Sequence, residues 1–208
     1  FEGHPQPKVP LWGYEDESDP KVMAKKIDAA ADHGIDAFIF DWYWYDDGPF
    51  LDKPLDHAFL TAPNNKRLKF ALMWANHNWG SWPAVTGEPG MASLVNQGVS
   101  LWLPIRHNLE DLDRVVDYCC EHYFSEPNYW KIDGRPYFSF FDVTEFQKQL
   151  GGPKQAKEGL ARMDERAKTT GLPGLFFGAN VGCCNDNLYC CGWDRVPAAD
   201  EMGFENVF

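Results

Sequence analysis

Two stretches decide the fold: Asp36-Ala37-Phe38-Ile39-Phe40-Asp41-Trp42-Tyr43-Trp44-Tyr45, and Lys69-Phe70-Ala71-Leu72-Met73-Trp74-Ala75-Asn76-His77-Asn78-Trp79. Each is a short apolar run that passes without a break into rings and polar groups. That is the pattern of a buried strand whose C-terminal end opens into a pocket. Rings flanked by amide, imidazole and carboxylate groups suit sugars, whose CH faces stack on Trp and Tyr while their hydroxyls need both donors and acceptors. The first expectation is a carbohydrate site at these strand ends.

Ser18-Asp19-Pro20 pairs a capping residue with a proline at the first helical turn, and predicts a helix over about 20–33. A brief helix is expected over Lys53–Leu60, a strand over about 68–75, and a long loop over the strand ends from Asn76 to His107 that carries Trp79, Trp82 and Trp102. Asn108 and Asp111 open a helix that ends near Tyr123. Strands follow at Tyr137–Asp142 and Leu175–Asn180, with a helix begun by Gly151-Gly152-Pro153 between them. A short helix near Ala198–Met202 and a strand-like Phe204–Phe208 close the chain. Alternating strands and helices, with connections long enough for crossovers, predict an α/β fold with a parallel sheet. Residues 1–18 are rich in proline and read as irregular, with Trp12 and Tyr14 as possible pocket residues.

The chain has 208 residues, one domain by size, against the roughly 250 of a complete (β/α)8 barrel. A net charge of −12 argues against nucleic acid or an anionic membrane surface as partner, since both would repel it. No apolar run approaches the roughly 20 residues that span a bilayer. The chain starts at Phe1 rather than Met, which reads as a cut or processed start, so localisation is not legible; a secreted or periplasmic site fits polymer-degrading barrels. The six cysteines form three adjacent pairs. Unligated thiols are the leading reading, a loop disulfide within Cys183–Cys191 the next, and zinc the last, because the spacing matches no usual zinc pattern. No cofactor or metal is expected, and the oligomeric state is not legible.

Several blocks carry a resemblance. Gly34-Ile35-Asp36-Ala37-Phe38-Ile39-Phe40, Trp42-Tyr43-Trp44-Tyr45, Leu51-Asp52-Lys53-Pro54-Leu55, Trp74-Ala75-Asn76-His77-Asn78-Trp79 and Tyr129-Trp130-Lys131-Ile132-Asp133-Gly134-Arg135-Pro136-Tyr137 resemble the WbsX-like proteins, which are similar to glycoside hydrolase family 99. The resemblance implies a (β/α)8 TIM barrel, incomplete in this chain, acting on glycosides; the family 99 relatives cut α-mannosides internally. The strands here would be the second to fifth, with Met202–Phe208 entering the sixth. The chain departs from the pattern twice. His77 stands where the WbsX-like pattern has glutamate, and the later Asn-Glu-Trp-x-Glu-Gly segment that holds the paired acids has no counterpart.

Glycoside hydrolysis needs an acid for the leaving oxygen and a second carboxylate. Asp41 and Asp142, both near strand ends, are the catalytic candidates within this chain, and His77 is a candidate for proton transfer. Against these stand structural roles: Asp41 as a buried ordering acid, Asp142 as the cap of the turn into Val143-Thr144-Glu145, His77 as a hydrogen-bonding group. Trp42, Tyr43, Trp44, Trp74, Asn76, Asn78 and Trp79 are the expected substrate-binding residues. Three functions compete: a hydrolase-like barrel domain acting on a glycan with acids supplied from outside the segment, glycosyl transfer in polysaccharide assembly, and sugar binding without catalysis. The transfer reading lacks a Gly-rich phosphate cradle or an Asp-x-Asp loop.

Overall fold

The computed structural model describes residues 8–80, 101–180 and 201–207, with the side chains of 79, 80, 101, 102 and 207 left out. Trp82, the Cys183–Cys191 segment, Phe208 and the side chain of Trp79 therefore lie outside the described residues, as does most of the helix expected near 198–202. Two compact units make up the chain: Phe1–Asp36 with Asp52–Leu68, and Ala37–Leu51 with Lys69–Phe208.

In the first unit, α1 (Pro20–Asp32) starts where Asp19 accepts a hydrogen bond from the Lys21 N–H at 2.8 Å, and it buries Met23 and Ile27. Asn64 donates its amide to Ala24 O at 2.8 Å, and Arg67 reaches Asp28 and Asp32, so the later segment is tied along one side of the helix. The brief helix expected at 53–60 is a wide, π-type turn over Pro54–Phe59 that buries Leu55, Ala58 and Phe59.

The second unit is a sheet with helices. It contains β1 (Ala37–Tyr45), β2 (Gly48–Phe50), β3 (Lys69–Trp74), a small ladder of β4 (Trp79–Gly80) and β5 (Leu101–Leu103), then α2 (Leu109–His122), β6 (Lys131–Ile132), β7 (Arg135–Phe140), α3 (Val143–Leu150), α4 (Pro153–Thr169), β8 (Phe176–Ala179) and β9 (Asn206–Val207). Strands β1, β3, β7, β8 and β9 are parallel and lie side by side in chain order. Such a sheet is wound in one direction only, as in a barrel wall; a doubly wound sheet would reverse its order at a switch point. The fold is barrel-like α/β.

Two elements were not anticipated. Asp133-Gly134, with φ of 50° and 80°, makes the tight turn of a β6–β7 hairpin, the short-range hairpin signal par excellence. Helix α3, capped by Asp142, is additional to the helix expected after Gly151-Gly152, which is α4; those glycines, both at positive φ, separate the two. Helix α4 lies against α2 through two paired forks, Arg162 on Asp113 and Arg166 on Asp117. No helix among the described residues is long and apolar enough to cross a membrane.

Candidate functional site

Strand pairing fixes which side chains share a face. Asp41 is level with Met73, Met73 with Ser139, Ser139 with Gly178, and Gly178 with Asn206. One residue along, Trp42, Trp74, Phe140 and Ala179 form the next row. Successive side chains in a strand point to opposite faces, so these two rows cannot line the same cleft.

The even-numbered row of β1 faces the helices. Trp42 and Trp44, 2 % and 7 % exposed, stack at 5.5 Å and pack on Tyr118 of α2 at 6.2 and 5.1 Å. Trp74 is fully buried against His107 and Phe140. The stacking role expected of Trp42, Trp44 and Trp74 is thus corrected by strand alternation: these rings fill the sheet–helix layer, and a sugar does not reach them there.

Asn76 follows Trp74 on the buried side. Its Oδ1 accepts from the Asp142 N–H at 2.7 Å, which fixes Nδ2 as the other end of the amide; Nδ2 then donates to Asp142 O at 2.8 Å and to His107 Nε2 at 3.1 Å. His107 therefore carries its ring proton on Nδ1. Burial pushes its pKa down to about 3, partly opposed by its contact with Gln149, so the ring is neutral. Asn78 accepts from the Ile105 N–H at 2.8 Å and ties the loop. Both asparagines hold backbone in place, Asn76 with both ends of its amide and Asn78 with its amide oxygen.

Asp142 is 4 % exposed, and its carboxylate accepts from Thr144 N and Glu145 N at 3.0 and 2.8 Å as the N-cap of α3. Its catalytic assignment gives way to this role. The geometry leaves the odd-numbered face. Asp41 is exposed, not buried, and among the described residues no hydrogen bond or ion pair engages it. Tyr43 lies two residues on, and its phenol pKa is raised by burial and then by the charge of Asp41, so it stays a donor at neutral pH. His77, half-buried, sits between Tyr43 and Phe141 with ring centroids 5.8 and 5.5 Å away, and its Nδ1 is 3.1 Å from Asn78 O. The Tyr45 hydroxyl donates to His77 O at 2.9 Å.

Lower on this face Tyr137 leans over Gly178, where a Cβ would come within 2.3 Å of the phenol oxygen. Phe141 and Tyr137 were missed from sequence; counting by twos from Ser139 would have found both. The face offers a carboxylate, a phenol and an imidazole between rings at the C-terminal ends of parallel strands, the position at which barrel enzymes place their chemistry. Among the described residues no cluster of His, Cys, Asp and Glu is arranged to hold a metal ion.

Comparison with known proteins adds three findings. The glycosyltransferase WbsX family matches residues 1–200. Two curated proteins, each called uncharacterized protein WxcX, from Xanthomonas campestris pv. campestris strains B100 and ATCC 33913, are 30% identical over 138 residues; these are 65% of this chain and 18% of theirs. Among solved structures, the GH99 endo-alpha-mannosidase from Bacteroides thetaiotaomicron superposes with a TM-score of 0.57 at 12% identity, over 96% of this chain and 46% of that one. A glycoside hydrolase-like protein superposes with a TM-score of 0.50 at 14% identity, over 94% and 59%. At such identities the likeness is one of fold. The chain spans under half the length of the mannosidase and less than a fifth of the curated relatives.

Proposed function

The chain belongs to the glycosyltransferase WbsX family, and from that premise we propose that it is the glycan-holding part of a larger protein of polysaccharide assembly. The glycan lies on the face carrying Asp41, Tyr43, His77 and Phe141. One observation carries this reading: His77 is set between two rings, on the same side of the sheet as an exposed carboxylate that no described cap or ion pair engages. Tyr43 and Phe141 give the sugar's CH face apolar contact, while Asp41 accepts from hydroxyls and the Tyr43 phenol donates.

Among the described residues this face supplies one carboxylate, and glycoside chemistry by paired acids needs two. Any bond-making or bond-breaking therefore draws on groups outside the described residues. Glycoside hydrolysis is the second reading, favoured by the fold likeness to the mannosidase.

Mass spectrometry of products separates them. The full-length protein is incubated with a neutral oligosaccharide, with and without nucleotide-sugar donors. Lengthened products, or tight binding with no change, support the proposal. Shortened products without a donor favour hydrolysis, and no binding of any glycan rejects both.

A further inference from the structure

The first unit holds a second ring-bearing surface, separate in sequence from the face just described. The chain turns sharply at Pro10–Gly13, where Gly13 N–H donates to Pro10 O at 2.9 Å and Gly13 takes a φ of +80°. The turn sets Leu11, Trp12 and Tyr14 along a groove of about 390 Å³, whose other walls include Glu15, Glu17 and Lys26. It is an open groove along the surface, not an enclosed cavity. The apolar groups are left outside: Leu11 is 99% exposed, Tyr14 70% and Trp12 44%.

The groove is built rather than incidental. The ammonium of Lys25 in α1 lies 4.2 Å from the Trp12 ring centroid and also binds Glu15 at 2.8 Å. One lysine thus fixes both the indole and the carboxylate beside it. The next residue, Lys26, pairs with Glu17. Helix α1 therefore braces the turn from below, and a bound ligand meets a prearranged wall at little ordering cost.

We infer that this groove is a subsite for a neutral oligosaccharide, an inference that rests on the glycan reading above. The two exposed rings suit sugar CH faces, and the carboxylate–ammonium pairs at the rim present acceptors and donors for hydroxyls. Both lysines are neutralised by their partners, and the chain carries −12 overall, so uronates and phosphates are disfavoured. A proline-rich peptide also stacks on rings, but it would leave most of the charged donors and acceptors of this rim unused.

Calorimetric titration of the full-length protein with mannohexaose, maltohexaose and cellohexaose, and with an oligogalacturonate, tests it. The expected result is binding of a neutral hexasaccharide, no binding of the oligogalacturonate, and a loss of at least about tenfold in affinity in both Trp12→Ala and Tyr14→Ala. Trp12→Phe should keep most of the affinity. Tyr14 is so exposed that its truncation leaves the fold intact, which keeps the test valid if Trp12→Ala misfolds. If both variants bind as the parent does, the groove is overturned; if His77→Ala then loses binding, the site at Tyr43, His77 and Phe141 stands. Preference for the oligogalacturonate also overturns it. No binding by the parent overturns both readings.

Discussion

The side-chain amide of Asn76 brackets the peptide of Asp142, accepting from its N–H at 2.7 Å and donating to its C=O at 2.8 Å. This pair of hydrogen bonds across 66 residues joins the end of β3 to the start of α3, the two places from which His77 and Phe141 project. Both partners are buried, so Asn76→Ala would strand a backbone donor and acceptor without water. A destabilisation of about 3 kcal/mol is expected, read by urea unfolding. An unchanged midpoint would show that water enters and the bracket is dispensable.

Asp142→Asn separates cap from catalyst. Asparagine caps a helix as well as aspartate does, so stability should change by less than about 0.5 kcal/mol, while the carboxylate is gone. Glycan binding and any turnover of the full-length protein should survive. Loss of turnover at unchanged stability would restore Asp142 to the chemistry.

His107 predicts a pH dependence with a definite sign. Its folded pKa, about 3, lies below the roughly 6.5 of an unfolded histidine. Between those values the unfolded chain holds a proton that the folded chain lacks. The stability this neutral ring gives is complete above about pH 6.5 and is lost as the pH falls toward 3, by up to about 1.4 kcal/mol per unit. Unfolding free energies of the parent and His107→Gln at about pH 7 and about pH 5 should therefore differ in slope, the variant being flatter. Equal slopes would mean that the ring is protonated inside the fold.

Trp42 and Trp44 should behave as core. Trp42→Ala removes a buried indole packed on Trp44, Tyr118, Tyr123 and Phe138, and is expected to cost about 4 kcal/mol. Trp42→Phe should fold and still bind glycan. A folded Trp42→Phe protein that had lost glycan affinity would put the indole back in contact with sugar.

The parallel sheet was legible because its strands are continuous apolar runs and the caps of α1 and α2 are written in Asp19-Pro20 and Asn108. The site was legible only in part. Composition drew attention to Trp42, Trp44 and Trp74, yet the two-residue period places Asp41 and Tyr43 opposite them, so composition and geometry chose different faces. Asp142 and Asn76 are polar groups at strand ends, and nothing local distinguishes one that binds backbone from one that meets a ligand. Their partners lie dozens of residues away, or across a strand pair, and emerge only once the register is known. Phe141 lacks a polar atom, so its place beside His77 depends on that register alone.

The most direct test of the account is the affinity of the full-length protein for its preferred neutral hexasaccharide, measured by titration for the parent, Asp41→Asn and His77→Ala. Each variant should fold, since neither side chain caps a helix or fills the helix-facing layer, and each should lose at least about tenfold in affinity. Parent-like affinity in both variants would contradict it, and would remove the face between Tyr43 and Phe141 as the place where the glycan lies.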